Sequence, residues 1–160
     1  MEIKVKVTIN KSANDVWEVM GNQFGHAHVW SSNFITSKPG GEAKFDGLDY
    51  SLRDTTTERG NTIQELTAFD PASHSLAYEI TAGAPEIAKR AASKWYIVEE
   101  GGQSVVHMDS IMEAKMPLPE EMQAKLQMGL TASFQQLADE LKYYVENGTP
   151  HPSKLESISE

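Results

Sequence analysis

The chain has 160 residues, 39% of them hydrophobic, and no cysteine; this is the size of one domain, and chains of about 150 residues bury roughly two-thirds of the surface their unfolded form exposes. Fourteen basic residues stand against 23 acidic ones, a net charge of -9, which repels a phosphate backbone and argues against nucleic acid as a partner. Without cysteine there are no disulfides, thiolate nucleophiles or cysteine-bound zinc, which fits a reducing, cytoplasmic setting.

The amino terminus, MEIKVKVTIN, alternates charged and apolar side chains and so does not read as a secretory signal. No run is long enough for a membrane span, so no membrane insertion is expected. Ile3, Val5, Val7 and Ile9 share one face of a first strand, with Glu2, Lys4, Lys6 and Thr8 on the other. Ser12 can then cap a short helix that carries Asp15 in its first turn and Val16, Trp17, Val19 and Met20 on its apolar side, with Gly21 and Gly25 as breakers. The segment from Phe24 to Asn33 reads as a second short helix or turn. Strand-like runs follow between Phe34 and Ile80, punctuated by Pro39-Gly40-Gly41, Arg59-Gly60-Asn61 and Asp70-Pro71-Ala72-Ser73. Leu76, Tyr78 and Ile80 alternate cleanly, whereas Phe45 to Thr57 is indecisive.

The clearest hairpin joins Ser93–Glu99 to Ser104–Ala114 through Glu100-Gly101-Gly102-Gln103. Its second arm puts Val106, Met108, Ser110, Met112 and Ala114 on the interior face, and His107 and Asp109 on the outer one. Pro117 and Pro119 end that strand and open a helix over 119–146, about 42 Å long at 1.5 Å per residue. Met122, Leu126, Leu130, Phe134, Leu137 and Leu141 run along it as one apolar stripe. The remainder, 149–160, mixes prolines, charges and serines and reads as a flexible tail. Strand, two short helices, about six strands and a long helix is an α+β order that excludes a doubly wound parallel sheet.

Ser12-Ala13-Asn14-Asp15-Val16-Trp17 after the first strand, Trp30 after a Gly/His turn, the Gly101-Gly102 hairpin and the closing Leu137-Ala138-Asp139-Glu140-Leu141 helix together resemble the START-related (SRPBCC) superfamily. That group takes in polyketide cyclase/dehydrase-like proteins, plant pathogenesis-related and hormone-receptor proteins, lipid-transfer domains and heat-shock ATPase activators. The resemblance covers about residues 2–148 and implies a helix-grip fold: a seven-stranded curved antiparallel sheet wrapped around the long C-terminal helix, with two short helices after strand one. It implies a single START-like domain over 1–148 with a cavity between sheet and helix for a lipid, polyketide or aromatic metabolite.

In that geometry Tyr50, Tyr78 and Trp95 become cavity walls with polar handles, Met108 and Met112 deformable ones, and Trp30 an apolar gate at the mouth. Leu126, Leu130, Phe134 and Leu137 face the space under the helix, where the small residues Gly129 and Ser133 leave room. Arg53 is a weaker candidate, its bland reading a snorkelling arginine. His26 and His28 are weaker still: His-x-His lacks a third and fourth ligand nearby, so packing or surface histidines are expected, with no metal and no cofactor. The expected partner is a small apolar molecule, and the expected state monomer or homodimer. A polyketide cyclase/dehydrase-type enzyme is the alternative, and a protein-interaction module like the heat-shock ATPase activators a further one. An enzyme needs a titratable side chain aimed into the cavity, so the directions of His26, His28, His107, Tyr50 and Arg53 discriminate between binding and catalysis.

Overall fold

The computed structural model describes residues 1–159. Its elements are β1 (Glu2–Ile9), α1 (Ala13–Trp17), β2 (Thr36–Gly40), β3 (Leu52–Thr57), β4 (Gly60–Asp70), β5 (Ser75–Ala82), β6 (Ala88–Glu100), β7 (Gln103–Ala114), α2 (Glu120–Asn147) and α3 (Pro152–Ser159). β1 forms from the alternation, with Ile3, Val5 and Ile9 buried and Glu2, Lys4 and Lys6 exposed. Ser12 caps α1, its Oγ accepting the Asp15 N–H at 3.2 Å. Gly21 does not end the helical path as expected. The chain continues through a π turn, Glu18–Asn22, and a 3-10 turn, Phe24–Val29. The Trp17 indole lies where a Gly21 Cβ would stand, so the glycine serves close approach.

The seven strands form one antiparallel sheet in the order β1-β7-β6-β5-β4-β3-β2. The β6–β7 hairpin turns at Gly101 and Gly102, with φ of 57° and 83°, the left-handed pair that matches strand twist. Pro39 and Gly40, read as a breaker, lie inside β2; proline is tolerated there because β2 is an edge strand with a free side. The indecisive stretch before β3 is irregular apart from an isolated bridge between Phe45 and Leu48. Along the interior face Val5, Met108, Trp95 and Leu76 sit side by side across four strands, each buried.

α2 follows Pro119, carries Glu120 and Glu121 against its dipole, and ends at Gly148 (φ 73°), whose N–H bonds the Tyr144 carbonyl at 2.8 Å. It packs chiefly along β1. Two side chains pin it there: Gln127 Nε2 donates to the Glu2 carbonyl at 2.6 Å and Lys142 Nζ to the Thr8 carbonyl at 2.7 Å. α2 thereby covers one sheet edge.

The stretch read as a flexible tail instead carries α3. Its start is capped by His151, whose Nδ1 faces the Ser153 N–H at 3.0 Å, with Pro152 in the first helical position. Lys154 of α3 is buried and donates to the Phe34 carbonyl at 2.9 Å.

Candidate functional site

The apolar stripe of α2 is covered unevenly. Leu137 and Leu141 are 3% and 0% exposed, Phe134, Leu130 and Leu126 are half-buried, and Met122 is 47% exposed. The helix is sealed against the core along its second half and only partly covered along its first, where Gln127 still bonds to β1. Gly129 and Ser133 are both exposed, and a Cβ at Gly129 would meet nothing within 4 Å. At the open end lies a crevice of about 330 Å³, lined by Met1, Met112, Met116, Pro117, Leu118 and Gln123 among others. Three of these are methionines, flexible enough to reshape around a guest.

Deeper in, under β3 to β6, the interior is aromatic. Trp95 meets Tyr78 edge-on at 5.7 Å between ring centroids, and Tyr78 meets Phe24 at 5.6 Å. Trp30, Tyr50 and Met108 are buried as well. The Tyr50 hydroxyl accepts the Gly25 N–H at 2.7 Å while Ser37 Oγ donates to the Gly25 carbonyl at 2.8 Å, which fixes the 3-10 turn to the sheet. Burial, the largest cause, raises the Tyr50 pKa above its usual value.

Arg53 is not a snorkelling arginine. It is 1% exposed and points into this aromatic interior, with its guanidinium carbon 3.9 Å from the Phe24 ring centroid and 5.0 Å from those of Phe34 and Tyr78. Its Nε donates to Gln64 Oε1 at 2.8 Å, a direct cross-strand pair in register, and Nη1 to the Phe24 carbonyl at 3.1 Å. Burial lowers its pKa to about 10, opposed by the Tyr78 and Tyr50 hydroxyls, so it remains a cation at neutral pH. Phe24, Phe34 and Gln64 were not anticipated; only a polar residue on an interior strand position hinted at Gln64.

The histidines lie elsewhere. His107 stacks on Tyr96 at 4.6 Å on the outer sheet face, where it and Asp109 line a surface groove with Lys4 and Lys6. His26 is exposed, and its ring centroid is 6.4 Å from that of half-buried His28. Among the described residues no three His, Asp or Glu side chains gather as a metal-binding group. Burial, then Lys154, then His26 lower the His28 pKa below 6.5. The unfolded chain therefore binds more protons than the native one as pH falls through about 6.5. The His28 contribution to stability is complete above that pH and is lost on acidification. His28→Asn is expected to flatten the fall of the urea midpoint between about pH 7 and 5; an identical slope in variant and wild type would refute this.

A second polar cluster fastens the site from outside. Buried Glu140 of α2 accepts from the Ser32 N–H at 3.2 Å, Ser32 Oγ at 3.0 Å and Ser153 Oγ at 2.7 Å. It thus joins α2, α3 and the loop carrying Phe34, which Lys154 also holds.

No curated relative matches the chain. Among solved structures, a START superfamily protein from Mycobacterium smegmatis superposes with a TM-score of 0.74 at 18% identity, covering 92% of this chain and 99% of that one. Major latex-like protein 151 from Panax ginseng gives 0.70 at 14% identity, covering 90% and 96%. Norcoclaurine synthase from Thalictrum flavum gives 0.70 at 15%, covering 92% and 87%. These likenesses show the helix-grip fold. No helix among the described residues is long and apolar enough to cross a membrane. The family model for polyketide cyclase / dehydrase and lipid transport matches residues 1–146, nearly the whole length; the chain belongs to that family, within the START-related superfamily, whose members generally bind hydrophobic ligands.

Proposed function

We propose that this protein binds a small, mainly apolar molecule in the space between the first half of α2 and the sheet. The observation that carries this is the uneven seating of α2: Leu130 and Phe134 pack against the core yet stay half-buried, while Leu137 and Leu141 are sealed. An apolar helix face left half-covered beside the core is a place for a guest. The crevice beside Met112 and Gln123 opens next to the start of α2.

Binding is favoured over catalysis by where the titratable groups point. His107 faces outward and His26 is exposed, the Tyr50 hydroxyl is engaged by Gly25, and Arg53 stays protonated at neutral pH. His28 lies beside His26 and Lys154, so no histidine is aimed at the space under α2 as a proton carrier.

Native mass spectrometry of the purified protein, followed by solvent extraction, is expected to reveal a retained apolar compound. Titration with Nile red, a neutral apolar dye, checks the location. Phe134→Ala is expected to weaken dye binding at least about fivefold, roughly 1 kcal/mol, and His107→Ala to leave it unchanged. Equal effects of the two substitutions would place the dye outside the space under α2.

A further inference from the structure

Arg53 is a cation held inside the fold without a counter-charge. Among the described residues its ionic partners include no carboxylate: the ion pairs of the molecule join Lys44–Glu65, Arg90–Glu79, Arg90–Glu113, Lys125–Glu121 and Lys142–Glu146. Nε and Nη1 are used, whereas Nη2 is buried with no acceptor in hydrogen-bond geometry, the neutral Tyr78 hydroxyl beside the guanidinium being its polar support. The Trp95 indole, its ring centroid 5.7 Å from the guanidinium carbon, also buries its N–H without an acceptor. The aromatic interior under β3 to β6 thus holds two buried donors without an acceptor and one positive charge.

Aromatic faces attract a guanidinium but do not replace a charged acceptor. Taking a charge out of water without pairing it is costly, and an apolar side chain of similar size would fill this position at lower cost. Buried polar groups left unpaired in a folded chain call for a reason, and functional sites are where they gather.

We propose that Arg53 anchors the anionic end of the ligand, so that the molecule bound inside is an apolar carboxylic acid, its carboxylate accepting from Arg53 Nη2 and its body lying among the aromatic rings and under α2. This deepens the binding reading above and rests on it. A guanidinium suits a planar carboxylate better than any neutral head group. The net charge of -9 repels such an acid at a distance but is screened beyond about 8 Å at physiological salt, leaving the local pairing to decide.

The test compares two probes with one apolar body, pyrenebutyric acid and pyrenebutanol, by fluorescence titration of the full chain. Wild type is expected to bind the acid at least about tenfold more tightly than the alcohol. Arg53→Met is expected to abolish that preference by losing affinity for the acid alone. Equal affinity of wild type for both probes overturns the anchor and leaves the binding reading standing; binding of neither overturns both. An equal loss of both probes in Arg53→Met would make Arg53 a packing residue and overturn the proposal. If that variant does not fold, the wild-type preference decides alone.

Discussion

Glu140→Ala is expected to lower the free energy of unfolding by about 3–5 kcal/mol, read from urea denaturation. The carboxylate sits under α3 and accepts from Ser32 N–H, Ser32 Oγ and Ser153 Oγ. Removing it leaves those donors without their acceptor in a half-dry place, each worth about 1–3 kcal/mol when truly buried. It also removes a carboxylate that supports the charge of buried Lys154, whose pKa burial pulls below its ordinary value while Glu140 works to raise it. Hydrogen exchange is expected to quicken first in α3 and the Ser32–Phe34 loop, and least in β6 and β7. Glu140→Gln keeps one acceptor oxygen and should fall between wild type and Ala. An unfolding midpoint unchanged by Glu140→Ala would mean that the cluster fastens nothing.

Trp95→Ala is expected to cost a similar amount, about 3–5 kcal/mol, for a different reason. Trp95 is fully buried, flanked in register by Leu76 and Met108, and meets Tyr78 edge-on. Truncation to alanine opens a void in the middle of a sheet that cannot collapse to fill it. Trp95→Phe separates packing from hydrogen bonding. Because the indole N–H has no acceptor, phenylalanine loses volume only, and about 1–2 kcal/mol is expected. A Phe variant as unstable as the Ala variant would show that the indole N–H is paired after all.

The elements legible in the sequence were those whose signal is local. The alternation in β1 and β7 is a period-2 pattern with one face dry, and the Gly101-Gly102 turn declares itself by the need for positive φ. α2 announces itself by its stripe, and its observed span, Glu120–Asn147, is displaced by one residue from the expected one. β2 was obscured because proline normally argues against a strand, and only its place at the sheet edge makes it acceptable. α3 was missed because its cap is a histidine ring nitrogen, where Ser, Thr, Asp or Asn is the usual signal. The site was the least legible part. Arg53, Tyr78 and Trp95 could be named as candidates, but the rings around the guanidinium come from Phe24, Phe34, β5 and β6, segments brought together by the sheet register and by the docking of the 3-10 turn and its following loop onto the sheet. Nothing in the order of residues marks such a cage in advance.

The pairing of β1 with β7 sets the order in which the molecule can be completed. Glu2 lies opposite Ile111, a separation of 109 residues, whereas β2 through β6 each pair with the strand next in sequence. A chain emerging from the ribosome can build that meander as it appears. Its first strand must wait, with its apolar face uncovered, until the last strand has been made. α2 follows that strand and packs along the first one, so the space proposed for the ligand is roofed only after every strand of the sheet has been made.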